Sequence, residues 1–89
     1  MFELVDYFAT WCGPCHAMHP IIEDVEKEYS TRIKFSKVDV DQHQDKAAQF
    51  GVMSIPTFIV MKDGKEVDRK VGAMTKDKFK SWLDASLLK

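Results

Sequence analysis

The chain has 89 residues, 45% of them hydrophobic and 30% charged. With common domains at roughly 100–150 residues, that leaves room for a single small domain spanning 1–89. Its 13 basic and 14 acidic residues give a formal net charge of −1. That balance removes the electrostatic case for nucleic acid or an anionic membrane, and no apolar run approaches the roughly 20 residues of a membrane helix. The two cysteines, Cys12 and Cys15, lie three positions apart. A loop that short adds little stability as a cross-link, so the pair is a poor structural device.

Residues 2–8 are mostly apolar with one Asp in the middle, the mark of a central strand buried on both faces. The segment shows no basic n-region, long apolar stretch or small-residue cleavage site, so a cytoplasmic location is expected. Residues 9–11 are a connection. Over 14–30 the period changes: Met18, Ile21, Ile22, Val25 and Tyr29 form one stripe of an amphipathic helix, with Glu23, Glu26, Lys27 and Glu28 opposite. Pro14 suits the first turn, and Pro20 removes one backbone bond inside the helix.

A second strand is expected at 33–39. Asp41 and Gln44 read as a capping pair for a short helix at 42–50, with Ala47, Ala48 and Phe50 turned inward and Gly51 as its stop. Residues 57–61 form a third strand. Lys62-Asp63-Gly64-Lys65 is a hairpin turn with the Asp-Gly signature, and 66–71 return as the fourth strand. Thr75 can cap a last helix that aligns Phe79, Trp82, Leu83 and Leu87 on one face. The order β-α-β-α-β-β-α predicts an α/β fold: a mixed four-stranded sheet with helices on both faces.

The segment Trp11-Cys12-Gly13-Pro14-Cys15-His16 carries the chemistry. Cysteines at i and i+3 on the first turn of a helix can close a disulfide across that turn. The first sits where orphan N–H groups and the helix dipole favour a thiolate, the attacking species in disulfide exchange. The second can resolve the mixed disulfide that the first forms. Rival readings use the same residues. Two unrelated thiols are one. A c-type haem site is another, since Cys12, Cys15 and His16 spell C-x-x-C-H, although the flanking strands do not suit a small all-helical haem protein. A zinc site from Cys12, Cys15, His16 and His19 is a third, but four ligands on one helical turn cannot surround a tetrahedral ion without unwinding it. No metal is expected.

Taken together, Val5-Asp6-Tyr7-Phe8-Ala9, Trp11-Cys12-Gly13-Pro14-Cys15, Pro20, Lys37-Val38-Asp39-Val40-Asp41, Ile55-Pro56-Thr57-Phe58, Lys62-Asp63-Gly64 and Val71-Gly72-Ala73 resemble the thioredoxin family. The resemblance implies a sheet in the order 2-1-3-4 and a protein dithiol–disulfide oxidoreductase with no cofactor beyond a redox-active Cys12–Cys15 disulfide. Cys12 would be the nucleophile and Cys15 the resolving thiol. Asp6, a carboxyl inside an apolar strand, would exchange a proton with Cys15 through water, with Lys37 as its charge partner. Ile55-Pro56 resembles the family's cis-proline loop, whose backbone pairs with an extended substrate. Trp11, Gly13, Pro14, Gly72 and Ala73 would complete the substrate-binding surface. Protein disulfides are the implied substrates and a thioredoxin-reductase-like protein the implied electron donor. Glutaredoxin-like or isomerase-like activity, or a redox-dependent binding module without turnover, are the alternative functions.

Two departures stand out. Typical members carry a further strand and helix before the segment matching residues 2–8, so the chain reads as a short form. Strand two then becomes an edge, which adds a weak dimer to the expected monomer. The second departure is His16, which occupies a place where the family usually has Lys or Arg. His19 and His43 read as surface residues. Because an imidazole changes charge near physiological pH, Cys12 reactivity is expected to follow His16 ionisation. Titrating the Cys12 thiolate in the wild type and in His16→Lys checks this: the two curves should differ, and identical curves refute it.

Overall fold

A computed structural model describes residues 1–89. It contains β1 (Phe2–Phe8), α1 (Gly13–Tyr29), β2 (Ile33–Asp39), α2 (Gln44–Gln49), β3 (Thr57–Lys62), β4 (Lys65–Val71) and α3 (Lys76–Ser86). The sheet order is β2-β1-β3-β4. β1 runs parallel to β2, joined by the α1 crossover, and antiparallel to β3; β3 and β4 are antiparallel. The mixed sheet expected from the sequence is therefore present.

Strand alternation divides the core. Phe2 and Leu4 of β1, Ile33 and Phe35 of β2, and Phe58 and Val60 of β3 face Met18, Ile22, Val25 and Tyr29 of α1 and Phe79 and Leu83 of α3. Phe58 and Phe79 meet edge to face with centroids 5.1 Å apart. Tyr29 Oη donates to Asp84 Oδ1 at 2.7 Å, tying α1 to α3. Val5, Tyr7, Val38, Ile59 and Met61 form the opposite layer, which packs on Phe50, Val40 and Val52 around α2. By the same alternation Asp6 and Lys37, partners in the parallel register, both lie on the α1 side.

The turn chemistry follows the sequence closely. Asp63 and Gly64 adopt φ of 51° and 82°, the two positive values of a type I′ hairpin loop. Thr75 accepts a hydrogen bond from the Lys78 N–H at 3.3 Å as the cap of α3. At the end of α2, the Val52 N–H donates to Ala47 O at 2.8 Å and the Gly51 N–H to Ala48 O at 3.1 Å. With Gly51 at φ 63°, that is a Schellman stop.

The start of α2 is a correction. The helix is shorter than 42–50 and its N-cap is His43, with no side-chain capping bond. Asp41 does not cap it, because its carboxylate is used by Trp11. Ala48 is exposed, and of the three residues expected inside only Ala47 is fully buried. A six-residue helix buries one narrow edge, so alternate apolar residues cannot all reach the sheet. α1 also begins one residue earlier than expected, with Cys12 as its N-cap.

Leu83 of α3 is fully buried in the core layer between α3 and the sheet's α1 side, whereas Leu88 is 89% exposed. Leu83→Ala should cost about 2–4 kcal/mol, read as a lower urea midpoint at unchanged slope, and Leu88→Ala should stay within about 0.5 kcal/mol.

Candidate functional site

Everything expected to take part in chemistry gathers at the C-terminal end of β1. Ala9 to Trp11 lead the chain into the N-terminus of α1. Cys12 and Cys15 are disulfide-bonded there, with Cα atoms 5.3 Å apart. The Cys15 N–H donates to Cys12 Sγ at 3.2 Å, so the Cys12 sulfur caps the helix. The first turn contains no acidic side chain. Its orphan N–H groups and dipole therefore face this sulfur without a competing carboxylate.

Both cysteines are largely covered and pack with Ala9 against Phe8, Val40 and Ile55. Cys15 also faces inward. With Asp6, Phe8, Thr10, His16, His19 and Lys37 it lines a cavity of about 250 Å³. Asp6 is 7% exposed and its Oδ1 has no hydrogen-bond partner. Burial pushes its pKa from the usual 3.8 to about 6, only partly opposed by the Lys37 charge. The cavity presents the polar groups of Asp6, Thr10, His16, His19 and Lys37 and is large enough to hold water between the carboxyl and the sulfur.

Lys37 departs from the simple expectation. It is the register partner of Asp6, but its ammonium is engaged elsewhere, donating to His19 Nδ1 at 3.2 Å. His16 points to the other side of the cavity mouth, with Nε2 2.6 Å from Thr10 O.

A groove of about 400 Å³ lies beside the disulfide, lined by Trp11, Val40, Val52, Met53, Ser54 and Ile55. Trp11 is 70% exposed, and its indole N–H donates to Asp41 Oδ2 at 2.7 Å. That bond joins the loop before α1 to the loop after β2. The Ile55–Pro56 peptide is cis, as the resemblance implied. The Ile55 N–H and C=O bond to no other backbone group, leaving both free. The Gly72 N–H donates to Pro56 O at 2.8 Å, and Gly72 takes φ 97°, a conformation suited to glycine. Gly72 and Ala73 thus abut the proline loop, while Gly13 and Pro14 are exposed on the first turn of α1.

The sequence reading missed Asp41 as the anchor of Trp11, the exposed Met53 in the groove and the Lys37–His19 contact. The last had a signal: His19 follows Cys15 by four residues, one helical turn, on the face over β2.

A helix capped by a redox disulfide, beside a buried carboxyl and a cis-proline loop on a mixed α/β sheet, defines a dithiol–disulfide oxidoreductase. Comparison with known proteins gives the family. The family model described as Thioredoxin matches residues 2–85. The thioredoxin of Staphylococcus haemolyticus is 46% identical over 85 residues, covering 96% of this chain and 82% of its own. That of Chlamydia caviae is 53% identical over 74 residues, covering 83% and 72%. That of Pseudomonas aeruginosa is 40% identical over 84 residues, covering 94% and 78%. The chain belongs to the thioredoxin family.

The buried carboxyl links stability to pH. Its folded-state pKa of about 6 lies above the usual 3.8, so protonation favours the folded state. This contribution is full below about pH 4 and is lost as pH rises through 6. Asp6→Asn should therefore gain on the wild type by about 2 kcal/mol between pH 4 and pH 8. Urea midpoints at the two pH values check this, and a gap independent of pH refutes it.

Proposed function

We propose that the protein reduces disulfide bonds in other proteins, with Cys12 as nucleophile and Cys15 as resolving thiol. The observation that carries this reading is the Cys12 sulfur at the helix N-cap while Cys15 faces the cavity of Asp6. The Cys12 thiolate attacks one sulfur of the substrate disulfide. A mixed disulfide forms, and the departing substrate thiolate takes up a proton. Asp6 then accepts the Cys15 proton through water, and the Cys15 thiolate attacks Cys12 Sγ. The second substrate thiolate leaves and is protonated. Two electrons have passed to the substrate, and the protein holds the Cys12–Cys15 disulfide. A reductase of the thioredoxin-reductase type returns two electrons and two protons.

Substrate docks as an extended segment. The unpaired backbone of Ile55 supports this strand-like pairing, and Trp11, Gly13, Pro14, Pro56, Gly72 and Ala73 frame the cleft. Lys37 supplies the positive charge that tempers the Asp6 carboxyl. In this reading the chain works as one cytoplasmic domain, monomeric, on protein disulfides, with no metal.

Insulin reduction with a dithiol donor tests turnover, and Cys15→Ser tests the roles. The wild type should precipitate insulin. Cys15→Ser should accumulate a mixed disulfide through Cys12, and Cys12→Ser should accumulate none. A wild type without reduction, or trapping through position 15 in Cys12→Ser, overturns the assignment.

A further inference from the structure

We propose that His19 is a positioning residue for the Lys37 ammonium: the neutral imidazole holds it at the cavity rim, and the imidazolium releases it toward Asp6. The proposal rests on the reading of Asp6 as the proton acceptor for Cys15.

His19 Nε2 lies 3.1 Å from Glu23 Oε1, while Lys37 Nζ lies 3.2 Å from Nδ1 and 3.5 Å from Nε2, so the ammonium rests against the ring rather than on one nitrogen. A carboxylate only accepts, so in the neutral ring the Nε2 proton is given to Glu23 and the electron-rich Nδ1 side of the ring meets the ammonium. Protonation of the ring sets a cation against the ammonium, while the Glu23 contact persists.

Lys37 then has two carboxylates on this face to move toward, Asp39, whose Oδ1 already accepts from the Asp41 N–H, and Asp6. The titratable groups around the imidazole are Asp6 from β1, Cys15, His16 and Glu23 from α1, and Lys37 from β2. Glu23 is taken by His19, and His16 is turned to Thr10 O. Asp6, the register partner of Lys37, has an unpartnered Oδ1 in the same cavity. An ammonium moving inward favours the ionised carboxyl. As pH falls, His19 thus keeps Asp6 able to accept a proton to lower pH than the carboxyl would manage alone.

The side chain of His19 is 52% exposed, so its replacement leaves the core intact. In His19→Gln the amide oxygen accepts from Lys37 at every pH; in His19→Ala nothing holds the ammonium. Asp6 is followed by carboxyl 13C NMR across pH in reduced protein, and the resolving step by single-turnover release of a Cys12 mixed disulfide. Relative to His19→Ala, His19→Gln should raise the Asp6 midpoint by about half a unit, roughly threefold in acid constant. The wild type should titrate over a broader range between them, and the acid limb of the resolving rate should move in the same order. Equal midpoints in all three proteins overturn the role of His19, whatever the turnover. A resolving rate unchanged by Asp6→Asn overturns instead the reading of Asp6 on which that role rests, and the two failures are read from separate measurements.

Discussion

A carboxyl without a hydrogen-bonding partner, held beneath a helix at the centre of the sheet, is the constraint on which the rest of the site depends. Asp6 is there because β1 is the inner strand, paired on both sides, and because a strand turns alternate residues to alternate faces. The alternation that buries Leu4 under α1 also buries Asp6. An apolar residue at this position would make the core simpler and more stable at neutral pH. The protein instead keeps an ionisable group whose pKa burial lifts to about 6, in a cavity that it shares with Cys15.

The helix above supplies the other half of the chemistry. α1 packs through Met18, Ile22, Val25 and Tyr29, and this fixes the rotation of its first turn. Cys12 then falls at the N-cap and Cys15 over the cavity. Two interactions remote from the sulfurs hold the surrounding loops: the indole of Trp11 on Asp41, and the Gly72 N–H on the Pro56 carbonyl. The first joins the loops after β1 and β2, and the second joins the loop before β3 to the one after β4, so the groove is built on the ends of a rigid sheet rather than on free chain.

Most of the architecture was legible because local and global signals agree. The stripe of α1, the Asp63-Gly64 turn, the Thr75 cap and the Gly51 stop each have one physical solution, and each is found. Asp6 and the cysteines were legible because a lone carboxyl in an apolar strand and two thiols on one helical turn conflict with ordinary packing. Asp41 was not legible, since a carboxylate before a helix signals a cap equally well, and only tertiary structure shows the Trp11 indole reaching it first. Ala48 was misread because short helices bury fewer residues than their apolar content suggests. The Lys37–His19 contact joins residues 18 positions apart on different elements; the helical spacing of His19 from Cys15 marks its face but does not name its partner.

That contact changes how the charge around Asp6 is understood. A lysine placed opposite a carboxyl by register invites the reading of a fixed ion pair, yet a tight pair would hold Asp6 ionised and weaken it as a proton acceptor. Here burial outweighs the Lys37 charge, and the ammonium sits on an imidazole at the cavity mouth. Strand register sets which charge stands near the carboxyl, and the α1 residue one turn beyond Cys15 sets how near it comes. The first is fixed by the sheet. The second depends on a single exposed side chain, which can differ between relatives without disturbing the core beneath it.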